Sequence, residues 1–232
     1  MNKPQKTFSL RTLVITIFFI VVIPFLPLLI TRDWGWWEAW VYALINILGF
    51  ALSRWLAARR NPDILAERAQ FLRHGNTESF DRILAPLLGV SGALIPLAAG
   101  LDALLDGSPT FSLPVKIASL IIILAGYTLS SWALIQNRYF SGTVRIQNDR
   151  GQKVVSEGPY RWMRHPGYSG AMLTYLVIPF FLDALWVFIA VVLTMIILII
   201  RTRLEDKTLQ DQLEGYREYA GRVRYRLVPG VW

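Results

Sequence analysis

The sequence contains no cysteine. That excludes a disulfide framework, a thiolate nucleophile and a thiolate-held metal. Histidine is nearly as scarce: His74 and His165 lie in separate loops, and no His/Cys/Asp spacing matches a zinc site. Metal binding is therefore not expected. A Ser-His-Asp pattern, a Walker loop, a dinucleotide glycine fingerprint and internal repeats are also missing. Charge is low, at 17% of residues, where soluble domains carry about 25%. Ionisable groups are almost absent from the middle of the apolar runs. Glu38, Arg54, Asp102 and Asp183 fall near run ends, which argues against an ion or proton pathway.

Hydrophobic residues, by contrast, make up 54% of the 232-residue chain, with nine tryptophans. The composition predicts an all-α integral membrane protein. Runs long enough to cross hydrocarbon lie near 12–31, 37–57, 83–105 and 114–136. The last run, 168–201, would be roughly 50 Å long as one straight helix, against a core of about 30 Å. Pro179 and Asp183 offer a break near its middle, so the expectation is a tight helical hairpin with arms 168–181 and 184–201. About six membrane-crossing helices result. Of 24 Lys and Arg residues, 22 fall in four segments: the N-terminal tail, 54–82, 138–164 and 201 onward. Six crossings place all four on one side, as the positive-inside rule requires of the cytoplasm. Both termini are then cytoplasmic, and the net charge of +8 reflects topology rather than nucleic-acid binding. The cluster Trp34, Trp36, Trp37 and Trp40 falls at the opposite interface. The N-terminal run is read as a retained span, too long for a signal peptide. The piece NPDILAERAQFLRHG predicts a surface helix near 62–73, with Asn61 as N-cap and Pro62 at its first position. The chain thus divides into 1–136, four spans with that surface helix, and 137–232, where the polar clusters concentrate.

Two clusters carry possible chemistry. GPYRWMRHPGYSG, Gly158–Gly170, sets two arginines, a histidine and two tyrosines against a membrane-type run. Pro166 can open a helix whose free N–H groups favour an anion beside Arg164 and His165, while Tyr160 and Tyr168 offer ring faces to a base or cation. The plainer reading is membrane-edge anchoring, with arginines on lipid phosphate and tyrosines in the belt. The second cluster starts at RTRLEDKTLQDQLEGYREYAGRVRYRLVPGVW. Arg201 and Glu205 share one helix face at i and i+4; as an ordinary surface ion pair they would contribute only about 0.3–0.5 kcal/mol. Beyond them, Leu204, Thr208 or Leu209, Leu213, Tyr216, Tyr219 or Ala220, and Val223 form an apolar stripe.

Together, GPYRWMRHPGY, the hydrophobic hairpin, R-x-x-x-E-D and the ending VRYRLVPGVW resemble the isoprenylcysteine carboxyl methyltransferase family, closest to bacterial members. The resemblance covers about 137–232, with NPDILAERA upstream. It implies an integral membrane enzyme of the bacterial inner membrane that uses S-adenosylmethionine on a lipophilic or lipid-linked acceptor among membrane lipids. It further implies that Tyr160, His165, Pro166, Gly167, Tyr168 and Glu205 contact the cofactor, and that Arg201 faces the acceptor, a carboxylate, so that Arg201 and Glu205 are the catalytic pair. Gln147 matches a cofactor-contacting glutamine, and Gln152, Lys153, Val154 and Val155 occupy the loop that wraps the cofactor. Asp206 stands where the family has a second glutamate. Membrane sterol reductases share an R-H-P-x-Y stretch and use NADPH, but carry a histidine after the last span where this chain reads RTRLED. Phospholipid amine methylation is a further alternative, and a non-catalytic membrane scaffold a third.

Overall fold

The computed structural model describes residues 10–69, 75–105 and 107–232. His74 and the end of the expected surface helix lie outside them. The described residues form helices and connecting loops without a strand. The first span is α1 (Leu10–Ile17), a π-helical turn Phe18–Val22, a 3₁₀ turn Ile23–Phe25 and α2 (Leu26–Thr31). Pro24 and Pro27 lack the N–H that a regular ladder would use, and the register changes around them. Then follow α3 (Trp37–Arg60), α4 (Ile64–Ala69), α5 (Asp81–Leu104), α6 (Leu113–Gln136), α7 (Pro166–Phe181), α8 (Val187–Gln212) and α9 (Tyr216–Arg222).

The first span and α3, α5, α6 and α8, five helical segments, are long and apolar enough to cross a membrane. Their outer faces are apolar and uncovered: Leu48, Ile121 and Ile189 are each more than 60% exposed, a pattern that suits hydrocarbon and not water. The protein is a multi-pass, all-α membrane protein. The expected hairpin is present, but its arms are unequal. α7 has 16 residues, about 24 Å at 1.5 Å per residue, short of a core of about 30 Å. α8 runs on to Gln212 with 26 residues. The break comes where Pro179 and Asp183 fall: Ala184 N–H reaches the Pro179 carbonyl at 2.9 Å. Asp183 itself takes a left-handed φ of 53°, which a short polar side chain tolerates. Its carboxylate fixes that geometry, accepting from Phe111 N–H at 2.7 Å and pairing with Lys116 at 2.5 Å. Lys116 also holds Glu38 of α3, so α3, α6 and the hairpin tip are tied at one end of the bundle. The basic loops gather at the other.

The surface helix starts later than the sequence suggests. Pro62 and Asp63 form a turn before α4, and Asn61 donates its side-chain amide to Ile135 at 3.2 Å instead of capping the helix. The C-terminal helix also divides. Gly215, at φ 76°, separates α8 from α9, a backbone state that glycine adopts without steric cost. The apolar stripe therefore folds on itself: Leu213, Tyr216 and Tyr219 pack with Leu209, Val223, Ile146 and Val154.

α6 and α7 make the most extensive helix contact. Small residues permit it: Gly126 and Gly170 face each other, Ser130 donates to the Gly167 carbonyl at 2.9 Å, and Thr174 to Ile123 at 3.4 Å. A Cβ on Gly170 would overlap the Gly126 carbonyl and stand 2.8 Å from Ser130 N. Gly170→Ala is expected to destabilise the fold by about 1–3 kcal/mol, read as a lower melting midpoint in detergent. Gly89→Ala, where a Cβ meets nothing within 4 Å, should leave the midpoint in place. Equal midpoints would show that α6 and α7 separate without strain.

Candidate functional site

The site is assembled from the loop 137–165, the start of α7 and the membrane-exit end of α8. Asn137 ends α6 and turns the chain, its Oδ1 accepting from Tyr139 N–H at 2.9 Å. The loop then closes on itself. Gln147 N–H donates to Gln152 Oε1 at 2.7 Å, Gln147 Nε2 donates to the Tyr139 carbonyl at 2.7 Å, and Arg150 donates to Gln147 Oε1. Arg145, buried in the loop, forks onto Glu67 of α4 at 2.9 Å and reaches Asp149 at 2.8 Å. The surface helix is thereby fastened to the loop.

α7 opens on Pro166, whose missing N–H costs nothing at a helix start. The segment before it is held by the tail. Arg164 N–H donates to Tyr225 O at 3.0 Å, His165 N–H to Arg226 O at 2.9 Å, and Ser169 Oγ to Leu227 O at 2.7 Å. Beneath them lies Asp206, fully buried. Its carboxylate accepts a two-pronged bond from Arg164 at 2.7 and 2.8 Å and single bonds from Arg226, Gln210 and Tyr216 at 2.8, 2.8 and 3.2 Å. Burial alone would lower the Arg164 pKa, but the Asp206 bonds outweigh it and raise it. Arg164 therefore has its counter-ion inside the protein and is not the free anion receptor that the sequence suggests. Asp206, in the second acid position, joins helix start to tail.

A chain of side chains then crosses the site. Arg201 donates to both oxygens of Asp81 at 2.6 and 3.0 Å, to the Gly142 carbonyl at 3.1 Å, and to the Tyr168 hydroxyl at 2.6 Å. The Tyr168 hydroxyl donates onward to Glu205 Oε2 at 2.7 Å. Arg201 and Glu205 are thus linked through Tyr168, and the counter-ion of Arg201 is Asp81, 120 positions away. The Tyr168 ring lies parallel to His165, with centroids 5.7 Å apart. Behind them Tyr160 and Tyr219 are buried, and burial pushes both phenols above their ordinary pKa; neither is a phenolate at neutral pH.

These pieces enclose one cavity. Gln147, Gln152, Lys153, Val154, Val155, Tyr160, His165, Gly167, Tyr168, Arg201 and Glu205 all line it. Pro166 does not; its ring serves the helix start. Residues that the sequence left unremarked complete the wall, among them Tyr139, Phe140, Thr143 and Arg145. Phe140 packs under Gly167, where a Cβ would come within 2.8 Å of its ring. Asp81 lies just outside the lining and could have been singled out only as an acidic residue in the first turn of a span.

The cavity walls fall largely within residues 119–211, the stretch matched by the model of the Isoprenylcysteine carboxyl methyltransferase (ICMT) family. Over that stretch the chain is similar to the ICMT family. A Bacillus subtilis (strain 168) protein, "Uncharacterized protein YpbQ", is 33% identical over 91 residues, 39% of this chain and 54% of that protein. A protein of Oryza sativa subsp. indica, "Probable protein-S-isoprenylcysteine O-methyltransferase", is 33% identical over 60 residues, 25% of this chain and 31% of the rice protein. The chain thus spans about half the length of the first relative and about a third of the second. The ICMT match includes most of α6, the loop, α7 and most of α8. It leaves out α9 and the tail bound to Arg164, as well as α3, α4 and α5.

Proposed function

We propose that the cavity binds S-adenosylmethionine and that the protein transfers its methyl group to a lipophilic acceptor, a carboxylate, at the cytoplasmic face of the membrane. The observation that carries this reading is convergence. Residues drawn by resemblance from five separate sequence positions, Gln147, 152–155, Tyr160, 165–168 and Glu205, supply the walls of a single cavity, with Pro166 alone set back. The lining also suits the molecule chemically. Glu205 gives one oxygen to Tyr168 and keeps the other for a cationic group. The Tyr168 and His165 rings provide π-faces for a base or sulfonium, and Gly167 N–H lies in the first turn of α7, where no intrahelical acceptor exists.

Bound S-adenosylmethionine supplies a methyl carbon already activated by its sulfonium, so the chain's task is placement and exclusion of water. A carboxylate acceptor brings its own lone pair and has no proton to lose, so no general base is needed. Asp81 fixes Arg201, Arg201 fixes the Tyr168 hydroxyl, and Arg201 turns its remaining N–H toward the acceptor. The short α7 supports access from the membrane: at 16 residues, about 24 Å, it falls short of a core of about 30 Å, which suits entry of a lipophilic molecule between helices.

Calorimetric titration of detergent-purified protein tests the reading. S-adenosylhomocysteine is expected to bind in the micromolar range and NADPH not at all. Binding of NADPH alone would move the protein to the reductase class, and binding of neither would leave the cavity as a membrane-edge anchor.

A further inference from the structure

The tail carries side chains that the cavity does not use. From Tyr219 onward it holds no acidic residue, and neither does the segment 158–170. The two segments touch: the Tyr219 hydroxyl donates to the Tyr160 carbonyl at 2.8 Å, and Arg164 Nη1 donates to Arg224 O at 2.9 Å. Arg164 and Arg226 share Asp206 as counter-ion. Arg161, Arg222 and Arg224 are exposed, and among the described residues none of the three forms an ion pair.

Beyond Leu227 the chain closes a tight turn. Leu227 and Val228 donate N–H to Trp232 O at 2.9 and 3.1 Å, and Gly230 takes a φ of 86°. The turn leaves apolar side chains uncovered, with Val231 79% and Val228 44% exposed. It lies beside the first turn of α7, where Ser169 donates to Leu227 O at 2.7 Å. Just before α7, Trp162 packs edge-on against Trp132, near the end of α6, with centroids 5.7 Å apart; both rings are exposed. Apolar groups and unpaired arginines thus occur together at the adjoining ends of α6 and α7. That combination suits a membrane interface, where aliphatic groups and rings enter the acyl boundary and guanidinium groups take phosphate oxygens. Each arginine there favours an anionic surface over a neutral one.

We propose that the tail docks on the anionic lipid headgroups of the surrounding bilayer, and that this docking tightens the binding of the methyl donor. Lipid phosphates take Arg161, Arg222 and Arg224, while Val228 and Val231 enter the interface. The second half rests on the reading of the cavity as the methyl-donor site. The link between the two is short. Residues 223–227 supply the carbonyls that hold Arg164, His165 and Ser169, and Arg164 and His165 line the cavity. A bilayer that seats the tail orders that wall beforehand, so the donor has less freedom to remove when it binds.

The test uses the full chain in nanodiscs of phosphatidylcholine alone or mixed with phosphatidylglycerol. Because the sequence has no cysteine, Val231→Cys places a single spin label on the turn, and Glu214→Cys places one at an exposed control position. In the mixed lipid, the label at 231 is expected to meet oxygen and be shielded from a water-soluble nickel complex, and the label at 214 to show the reverse. Combining Arg222→Gln with Arg224→Gln should remove that shielding. Calorimetry in the same nanodiscs should give S-adenosylhomocysteine binding at least about fivefold tighter with phosphatidylglycerol than without, and the double glutamine variant should lose this gain. Nickel access at 231 equal to that at 214 would overturn the docking and leave the arginines to an acidic protein. Equal shielding in the two lipids would overturn the role assigned to the arginines. Equal S-adenosylhomocysteine affinity in the two lipids, with the label shielded, would overturn the coupling alone. If S-adenosylhomocysteine binds in neither lipid while the label is shielded, the donor site fails and the docking stands.

Discussion

Replacing Glu205 by alanine is expected to weaken S-adenosylhomocysteine binding by at least about tenfold, the scale of one hydrogen bond to a charged group. Two losses combine. The proposed cationic group of the ligand loses its carboxylate, and the Tyr168 hydroxyl loses the acceptor 2.7 Å away, which loosens the ring beside His165. Glu205→Gln separates them: the amide oxygen still accepts from Tyr168, so the ring stays aligned while the charge is gone. An intermediate affinity for the glutamine variant would apportion the effect between charge and alignment. Glu214→Ala, at an exposed position on the same side of the protein, is the matched control. Calorimetry on all four proteins decides the matter. Wild-type affinity in Glu205→Ala would mean that this carboxylate does not touch the ligand.

Asp206→Asn is expected to have the largest effect on stability. The carboxylate is fully buried and is the shared partner of Arg164 and Arg226, with Gln210 and Tyr216 completing its shell. The amide removes the charge and puts an NH₂ group against guanidinium donors. Loss of one side of a buried pair costs about 3–5 kcal/mol, because the remaining charge stays desolvated. The melting midpoint should fall sharply. The damage should also be local before it is global: with Arg226 released, trypsin should cut at Arg222, Arg224 and Arg226 while the transmembrane helices remain intact. A variant that melts like wild type and resists trypsin would show that the backbone bonds from Arg164 and His165 to the tail are sufficient alone.

The long apolar spans were legible because hydrocarbon imposes a length that any crossing helix must meet. The hairpin was legible for a similar reason: Pro179 and Asp183 interrupt a run too long for one crossing. The unequal arms were not, because where α7 begins depends on Pro166 and the tail, not on hydropathy. At the site, residue types and approximate neighbours could be read, but partners could not. Arg201 and Glu205 at i and i+4 suggest each other, yet the structure joins them through Tyr168 and gives Arg201 to Asp81. Local spacing carries no information about a carboxylate 120 positions upstream. Arg164 illustrates the same limit. Its place beside His165 suggests an anion receptor, and only the three-dimensional placement of Asp206 shows that its charge is already met.

The tail bonds also set an order of events during synthesis. α7 and α8 precede the tail in the chain and can insert as a hairpin while translation continues. The acceptors for Arg164, His165 and Ser169 lie at Val223 to Leu227, so one wall of the cavity is fixed only after almost all of this sequence has been made. A nascent chain stalled before residue 223 would carry the membrane bundle and still lack a finished site.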